Sequence, residues 1–278
     1  MREDPAAVLM CPPDYYTVRD VKNPFMDVAR GIDARLARRQ WEALREAFRT
    51  AGVEVYEIAP VADLEDMVFA ANQAFVAPSG RFVVPSRMRF ASRRREVPYY
   101  VDWFRAHDFA ICELDLGAEF LEGHGDLLTH PSRAEVWAGY GFRSSRGGVE
   151  RFAAAMEPHG IRTHPLELVD PTFYHLDTCF APLNEEAALL YPQALAEPSV
   201  RALRERWERL YTVSREEALA FVCNGVSANG RFIASHVPGR VGAWLDREGL
   251  EPLPVDLREF EAGGGSAFCL KCFLPPSA

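Results

Sequence analysis

A helix that ends at a glycine and is followed at once by a strand occurs three times along this sequence. The first helix is predicted over residues 33–51, with Asp33 as its cap and Gly52 as its end, and a strand follows over residues 53–58. The same order recurs at Gly160 and Gly249. The three glycines are roughly 100 residues apart, which indicates two units of about 50 residues between each pair.

The intermediate units are visible as well. Residues 97–107 and 199–210 are predicted helices, the first leading into a strand over residues 109–114 and the second into a more irregular stretch. Ala228-Asn229-Gly230 is typical of a hairpin turn. Pairs of short apolar strands precede the helices, at residues 68–76 and 81–85, 126–129 and 135–139, 173–180 and 187–191, and 225–227 and 231–235.

These patterns predict an α/β fold built from about five strand–strand–helix–strand units. Such units could close radially, each burying its helix face against its neighbours. No linker or charge run interrupts them, so residues 1–278 are predicted to form one domain. An ordinary α/β sheet is the alternative that the repeat alone leaves open.

Composition excludes several classes of protein. Of the 278 residues, 48% are hydrophobic and 26% charged, which is a globular balance. No apolar run approaches the roughly 20 residues of a membrane helix. A net charge of −9 argues against nucleic acid as a partner. Residues 1–5 contain two acids and no apolar stretch, so no secretory signal is expected, and a cytoplasmic location with six reduced cysteines follows.

The pair Cys269 and Cys272 has the spacing of redox and zinc motifs. Residues 267–274 are predicted to be a strand, in which residues three apart point to opposite faces, so the two thiols would not share a metal. Cys269 follows a run of glycines, where the backbone can approach a ligand closely. It is therefore a candidate nucleophile, although a buried cysteine more often serves as a small hydrophobic residue.

Two further clusters combine acids with histidine. In a strand, His175 and Asp177 would lie on one face about 6.6 Å apart, as suits an imidazole base beside a cation-binding carboxylate. Residues 120–126 combine Glu122, His124 and Asp126 with two glycines in a loop of the kind that carries polar groups over a pocket. A structural His–Asp pair and a solvated turn are the respective alternatives.

Two polar segments come earlier in the chain. Residues 66–72 have an apolar middle, predicted to be a strand, and the polar ends Asp66 and Asn72. Arginines are concentrated soon after it, in a predicted loop that is either a solvated face or an anion-binding clamp. They are Arg87, Arg89, Arg93, Arg94 and Arg95, and they belong to a set of 31 basic residues in which only Lys22 and Lys271 are lysine.

Together these stretches resemble the guanidine-modifying pentein superfamily of dimethylarginine dimethylaminohydrolases, arginine deiminases, arginine dihydrolases and amidinotransferases. The resemblance covers essentially the whole chain, and it implies a fivefold pseudosymmetric α/β propeller, in agreement with the repeat. Its strength is the shared order of residues 10–16, 23–26, 68–72, 120–126, 140–143, 173–178 and the glycines 264–265 before Cys269.

The resemblance also implies a mechanism, for which this chain has the residues. Cys269 would attack the guanidinium carbon and expel an amine, leaving a covalent adduct. His175 would protonate that amine and then activate water, with Glu122 orienting it. The bound cation would lower the pKa of the thiol, so that the thiolate forms with substrate in place.

The remaining site residues follow from the same resemblance. No metal and no cofactor are implied, the partner is a small guanidino molecule, and a homo-oligomer stays open. Asp66 and Asp177 would bind guanidinium nitrogens with Asn72 near the same group, Arg93 and Arg143 would hold the substrate's carboxylate, and Asn23 would lie in a substrate loop.

Two positions at which this chain differs from some of these families narrow the predicted activity. Deiminases usually have an aspartate at the position of Asn72, and typical dimethylarginine hydrolases have a lysine at that of Asp177. The combination is most similar to the catalytic domain of cyanobacterial arginine dihydrolases, which carry a further C-terminal domain. We therefore predict hydrolysis of arginine or a close guanidino compound to ammonia with ornithine or citrulline. Dimethylarginine hydrolysis, amidino transfer to an amine and a non-catalytic binding module are the alternatives.

Overall fold

Five three-stranded sheets follow one another along the chain in the computed structural model, which describes residues 6–78 and 81–275. The strands are β1 (Ala7–Met10), β2 (Glu54–Glu57), β3 (Ala74–Val76), β4 (Phe82–Pro85), β5 (Ala110–Ile111), β6 (Leu127–Thr129), β7 (Glu135–Tyr140), β8 (Arg162–Glu167), β9 (Phe180–Pro182), β10 (Ala187–Leu190), β11 (Arg209–Thr212), β12 (Val226–Ala228), β13 (Arg231–Ala234), β14 (Glu251–Pro254) and β15 (Cys272–Leu274). The predicted repeat is confirmed.

Every sheet has the same internal order. A central strand pairs antiparallel with one neighbour and parallel with the other, as β4 does with β3 and β5. In the first sheet the antiparallel strand is β15, so the beginning and the end of the described chain meet there. The C-terminal strand therefore completes the N-terminal sheet.

One longer helix connects the central strand of each sheet to its parallel partner. The helices are α1 (Ala34–Thr50), α2 (Ala91–Arg94), α3 (Val97–Ala106), α4 (Gly123–Asp126), α5 (Arg146–Met156), α6 (Glu197–Arg206), α7 (Arg215–Leu219), α8 (Gly239–Arg247) and α9 (Arg258–Glu261), and the connecting ones are α1, α3, α5, α6 and α8. Parallel strands need such a crossover, which accounts for the strand–strand–helix–strand order.

The ends of these helices match the sequence signals. The Asp33 side chain accepts hydrogen bonds from the backbone of Arg35 and Leu36 at the start of α1. Gly52, Gly160 and Gly249 have φ of 74°, 71° and 72°, the left-handed conformation in which glycine ends a helix without a Cβ penalty. The glycines that mark the helix ends in the sequence are thus required by the left-handed backbone conformation at those positions.

Apolar side chains lie between each helix and its sheet. Trp41, Leu44 and Phe48 of α1 belong to one buried cluster with Val8 and Met10 of β1. Burying a side chain of this size stabilises the fold by about 1.5–3 kcal/mol. Among the described residues, no helix is both long and apolar enough to cross a membrane. Residues 1–5, on which the export prediction rests, lie outside the described part of the chain.

Three predicted strands are too long. Only the last residues of 68–76, 173–180 and 267–274 are strand, and the preceding ones form turns, two of them 3₁₀ turns at Glu65–Val68 and Leu176–Thr178. These segments are buried on both sides, so their apolar runs carry no period that separates strand from turn. Their backbones also bond to each other: Ala71 N–H donates to the Cys269 carbonyl at 3.1 Å.

The helix predicted over residues 199–210 is also wrong at its end. α6 begins at Glu197 and ends at Arg206, and the stretch predicted to be irregular contains strand β11, which pairs parallel with β10. That strand begins with the charged residue Arg209, so its sequence lacks an apolar strand pattern at the start. Sheet pairing rather than side-chain pattern determines the conformation there, as is common for strands.

Candidate active site

All five units contribute to one buried site, each through the segment that precedes its antiparallel strand. The segment before β3 carries Asp66 and Asn72, and the segment before β6 carries Glu122. The other three carry His175 and Asp177 before β9, Asn224 before β12 and Cys269 before β15. The turns that interrupt the predicted strands are therefore where the site is built.

These segments surround a small cavity. Every predicted site residue is buried, and all of them line the cavity except Glu122 and Asp177, which lie behind residues that do. The lining residues are Lys22, Asn23, Met26, Asp66, Phe69, Asn72, Arg93, Arg143, Tyr174, His175, Gly263, Gly265 and Cys269.

The Cys269 thiol lies between an acid and an amide. Its Sγ donates to Asp177 Oδ2 at 3.2 Å and accepts from Asn224 Nδ2 at 3.2 Å. Burial, together with the Asp177 carboxylate, raises the pKa of Cys269 well above that of a free thiol. In the empty site the cysteine is therefore protonated, and a cation bound nearby would favour the thiolate.

Asn224 is a site residue that the sequence reasoning missed. Its Oδ1 accepts from the backbone N–H of Ser266 at 2.9 Å and of Cys269 at 3.3 Å, and its Nδ2 also donates to the Asp177 carbonyl at 3.1 Å. It therefore holds the nucleophile's loop against Asp177. The signal that could have found it is the repeat, since Asn224 occupies, in the unit of β12, β13 and β14, the place that the other site residues have in theirs.

His175 and Glu122 form the second half of the site. His175 Nε2 is 2.8 Å from Glu122 Oε2, which also accepts from Arg143 Nη1 at 2.8 Å. Although burial raises it, Arg143 and His175 together bring the pKa of Glu122 well below its usual range. Glu122 is thus a fixed anion beside the His175 imidazole.

His175 and Asp177 lie together in the site, but not as the predicted strand would place them. Asp177 is in the 3₁₀ turn, and its Oδ1 has no hydrogen-bond partner among the described residues. Burial raises the pKa of Asp177 to about 7. The carboxylate beside the nucleophile is therefore short of a partner, as expected where a bound cation would supply one.

Asn72 faces the same space. Its Oδ1 accepts from Arg93 Nη1 at 2.9 Å, while its Nδ2 lacks a partner within the described chain. A Cβ placed on Gly125 would lie 2.4 Å from that Nδ2 and 3.2 Å from the His175 ring. The glycine in the 120–126 stretch therefore lets Asn72 and His175 approach each other.

Arg93 is neither in a loop nor on a solvated face. It lies in the short helix α2 and is buried, with Nη2 donating to Glu96 Oε2 at 3.1 Å and to the Asp66 carbonyl at 3.2 Å. The exposed neighbour Arg94 instead bonds local carbonyls. Arg93 and Arg143 are the two members of the arginine excess that line the cavity, so their predicted contact with a substrate carboxylate stays open to test.

The position of Asn23 explains why residue 264, one of the glycines before Cys269, has no room for a side chain. Its Nδ2 donates to the Gly263 carbonyl at 3.0 Å, and its Oδ1 accepts from Phe25 N–H at 3.0 Å. Gly264 has φ of 91°, and a Cβ there would lie within 2.6 Å of the Asn23 amide. The glycine run thus packs directly on the segment that contains Asn23.

The two cysteines of the CxxC pair do not share a site. Cys269 lies in a turn rather than in the predicted strand, whereas Cys272 is in β15, where its thiol contacts the Phe273 carbonyl at 3.8 Å. The described residues contain no cluster of three or more His, Cys, Asp or Glu placed to hold a metal ion. All six cysteines are free thiols.

Comparison with known proteins agrees with this geometry. Residues 17–273 match the family model of eukaryotic N,N dimethylarginine dimethylhydrolase. The chain is 34% identical to N(G),N(G)-dimethylarginine dimethylaminohydrolase of Mycobacterium tuberculosis, over 96% of this chain and 85% of that protein. It is 35% identical to the bifunctional arginine dihydrolase/ornithine cyclodeaminase ArgZ of Synechocystis, over 96% of this chain and 37% of ArgZ, and so spans little more than a third of that relative.

Solved structures extend the likeness to the fold. Two crystal structures of the N-terminal domain of ArgZ, an arginine dihydrolase from Cyanobacteria, superpose with a TM-score of 0.91 at 33% identity, covering 97% of this chain and 98% of the domain. One is bound to substrate and the other covalently to a reaction intermediate. The chain belongs to the dimethylarginine dimethylaminohydrolase family, and its five three-stranded sheets are those of the pentein fold.

Proposed function

We propose that this chain hydrolyses the guanidino group of arginine or a close guanidino compound through a covalent adduct on Cys269. The observation that carries the proposal is the arrangement around the cavity. A buried thiol is hydrogen-bonded to a carboxylate with an unpartnered oxygen, and His175, which is paired with Glu122, lines the same cavity. A nucleophile, a cation-binding acid and an oriented base are the groups that this chemistry requires.

The reaction begins when a guanidinium ion binds against Asp177. The cation supplies the partner that Asp177 Oδ1 lacks and lowers the pKa of the adjacent thiol. The thiol proton passes to His175, Sγ forms a bond to the guanidinium carbon, and the bond from that carbon to one nitrogen breaks. His175 gives its proton to the leaving nitrogen, which departs as ammonia or an amine.

Hydrolysis of the adduct uses the same imidazole. His175, now neutral, takes a proton from water as the water oxygen attacks the adduct carbon. The carbon–sulfur bond breaks, the thiol is restored, and a urea group remains on the substrate. Glu122 stays anionic throughout because Arg143 and His175 hold it so. A second round on that urea group would give ornithine from arginine, with a second ammonia and carbon dioxide.

The two named relatives differ in the reaction that their names state, arginine dihydrolysis in one and dimethylarginine hydrolysis in the other. Typical dimethylarginine hydrolases have a lysine at the position of Asp177, and deiminases usually have an aspartate at that of Asn72. This chain differs from both families, which favours arginine dihydrolysis. Two hydrolytic steps, ending at ornithine, are therefore the form of the reaction that we propose for arginine.

Product analysis tests the function. The purified chain is incubated with arginine, methylated arginines, agmatine, guanidinoacetate and guanidinopropionate, and ammonia and the carbon products are followed by mass spectrometry. We expect ammonia release from at least one compound and none in Cys269→Ala. Unchanged turnover in that variant would sink the proposal. Alkylation of Cys269 no faster than that of Cys11 or Cys223, together with no protection by a guanidino compound, would instead favour a non-catalytic role.

We also propose that the protein works in a reducing compartment, the cytoplasm. All six cysteines are free, and the nucleophile is useful only as a thiol. Oxidation of the purified chain should abolish ammonia release, and a thiol reductant should restore it.

A further inference from the structure

The carboxylate of Asp66, which lines the substrate cavity, forms an ion pair with a lysine of the same chain, Lys22. Lys22 lines the cavity, and its Nζ lies 3.0 Å from Asp66 Oδ2, with both side chains almost fully buried. The same ammonium is 3.5 Å from Glu65 Oε1 and also contacts Asp20. Asp66, which the sequence comparison assigned to the substrate cation, thus has its charge matched from within the protein.

The reacting end of the cavity is elsewhere. It is marked by Cys269, Asp177 and His175, and among the described residues no hydrogen bond joins Asp66 to any of the three. Asp66 is instead grouped with cations, since Arg93 Nε also lies 3.9 Å from its Oδ2. Besides the reacting groups, a bound guanidino compound would therefore meet Lys22, Arg93 and Arg143 around a single lining carboxylate.

Lys22 is held there by more than one contact. Its backbone carbonyl accepts from Arg143 Nη2 at 3.1 Å, and its backbone N–H donates to Met26 Sδ at 3.3 Å. Although burial lowers it, the Asp66 and Asp20 carboxylates leave the pKa of Lys22 raised, so the side chain is an ammonium ion at neutral pH. Displacing it would leave a buried cation or a buried carboxylate without its partner, which is costly.

Arginine has an α-ammonium group as well as an α-carboxylate, and the one carboxylate that lines this end of the cavity already has the Lys22 ammonium ion 3.0 Å away. We propose, resting on the guanidino hydrolysis above, that Lys22 takes the place of a substrate α-ammonium, so that the preferred substrates are ω-guanidino carboxylic acids without an α-amino group. Their carboxylate would lie toward Lys22, Arg93 and Arg143, the three cationic side chains that line the cavity.

The reaction on such a substrate balances with water alone. Sγ of Cys269 attacks the guanidino carbon, ammonia leaves with the proton from His175, and water releases an ω-ureido acid and the free thiol. A second water would convert the ureido acid to the ω-amino acid, carbon dioxide and a second ammonia.

A matched pair of substrates isolates the α-ammonium. Arginine and 5-guanidinopentanoic acid have the same chain and differ in that group alone. We expect the wild-type protein to prefer 5-guanidinopentanoic acid by at least about tenfold in kcat/KM, the factor that about 1.4 kcal/mol produces. Arginine preferred equally or better by the wild-type protein would overturn the inference.

The variant Lys22→Met keeps the length of the side chain and removes its charge. It should uncover Asp66 for an α-ammonium and shift the ratio of the two kcat/KM values toward arginine by about tenfold or more. Asp20→Asn is the matched control, because it removes an outer partner of Lys22 and leaves the Asp66 pair, so the wild-type ratio should persist. An unchanged ratio in Lys22→Met would overturn the inference.

The wild-type ratio requires no variant, so the inference can fail even where Lys22→Met does not fold. Hydrolysis of arginine in preference to its deamino analogue would contradict this inference and leave the proposed function standing. Hydrolysis of neither compound, with none of the other guanidino compounds consumed, would contradict both.

Discussion

Asp177 contacts the nucleophile and faces the space for the guanidinium at the same time. Its Oδ2 accepts from the Cys269 thiol, its Oδ1 is unpartnered within the described residues, and burial raises its pKa to about 7. A protonated Asp177 offers no charge to a cation. Near neutral pH the acid is therefore divided between a form that binds the guanidinium well and one that does not.

This division predicts a pH dependence. Because the pKa of Asp177 is raised to about 7, the anionic fraction grows as the pH rises through 7, and kcat/KM for a guanidino substrate should rise with it, with the slope of one proton. Asp177→Asn should lose that inflection and lower kcat/KM on the order of a hundredfold. The measurement is kcat/KM from pH 5.5 to 8.5.

The control for this profile is Asp102→Asn, which alters an exposed acid on α3 that bonds Arg105. It should keep the wild-type curve. A flat wild-type profile between pH 6 and 8, or the same inflection in Asp177→Asn, would show that another group controls binding.

The sequence identified some site residues and missed others for physical reasons. Cys269, His175 and Glu122 were found because the spacing of their motifs along the chain matches a family. Lys22 and Asn224 were not found, since an isolated lysine or asparagine carries no spacing signal. The scarcity of lysine was the available clue: both lysines of the chain, Lys22 and Lys271, are buried.

At the scale of elements, the site depends on backbone that is neither helix nor strand. Residues 66–72, 173–179 and 267–271 were predicted to be strand because they are apolar, yet each turns so that its polar side chains reach the cavity. Burial from all sides makes such segments resemble core strands in sequence. The regular elements, whose faces differ in polarity, were predicted better, and α1 is within one residue of the predicted helix at each end.

The turn at Gly125 in α4 offers a test of this arrangement. A Cβ there would lie 2.4 Å from Asn72 Nδ2 and 3.2 Å from the His175 ring, so Gly125→Ala should displace both side chains. A misplacement of about 1 Å in a catalytic group can cost on the order of a hundredfold in rate. We expect a folded protein whose kcat falls by that factor.

Gly239→Ala serves as the comparison, because a Cβ at that helix start would have no atom within 4 Å. Its activity should equal that of the wild type. Wild-type kcat in Gly125→Ala, with the melting temperature unchanged, would mean that the close approach of these residues has no catalytic importance.

Considered as a whole, the molecule joins its two ends in one sheet. β15 pairs with β1 in the register Leu9↔Cys272 and Ala7↔Leu274, directly after the turn that carries Cys269. The nucleophile is therefore placed by the same contact that completes the repeat of five sheets. Long-range pairing of this kind couples the integrity of the fold to the site.

Lys271 lies between the nucleophile and β15, and burial of its ammonium group lowers the stability of the folded protein. Its Nζ is fully buried without a hydrogen-bond partner in the described structure, 3.0 Å and 3.7 Å from the ring centres of Phe268 and Phe273. Burial lowers its pKa from the ordinary 10.5 to about 7. The unfolded chain thus binds this proton more tightly than the folded one between those values.

The stability of the wild-type protein should therefore rise relative to Lys271→Met as the pH is raised from 7 toward 10. Below pH 7 the variant, which has no ammonium to bury, should melt at a higher temperature, by about 2–4 °C for each kcal/mol gained. Thermal unfolding at pH 6, 7.5 and 9 measures this. Equal dependence of the melting temperature on pH in both proteins would contradict an ionisable Lys271 in the fold.

Formation of a covalent adduct on Cys269 can be observed by acid quench and mass spectrometry of the protein during turnover of a guanidino substrate. We expect a mass increase equal to the substrate less one ammonia, located on the peptide that contains Cys269 and absent from Cys269→Ala. Turnover without any adduct, or an adduct on Cys223 or another cysteine instead, would contradict the assignment of Cys269 as the nucleophile.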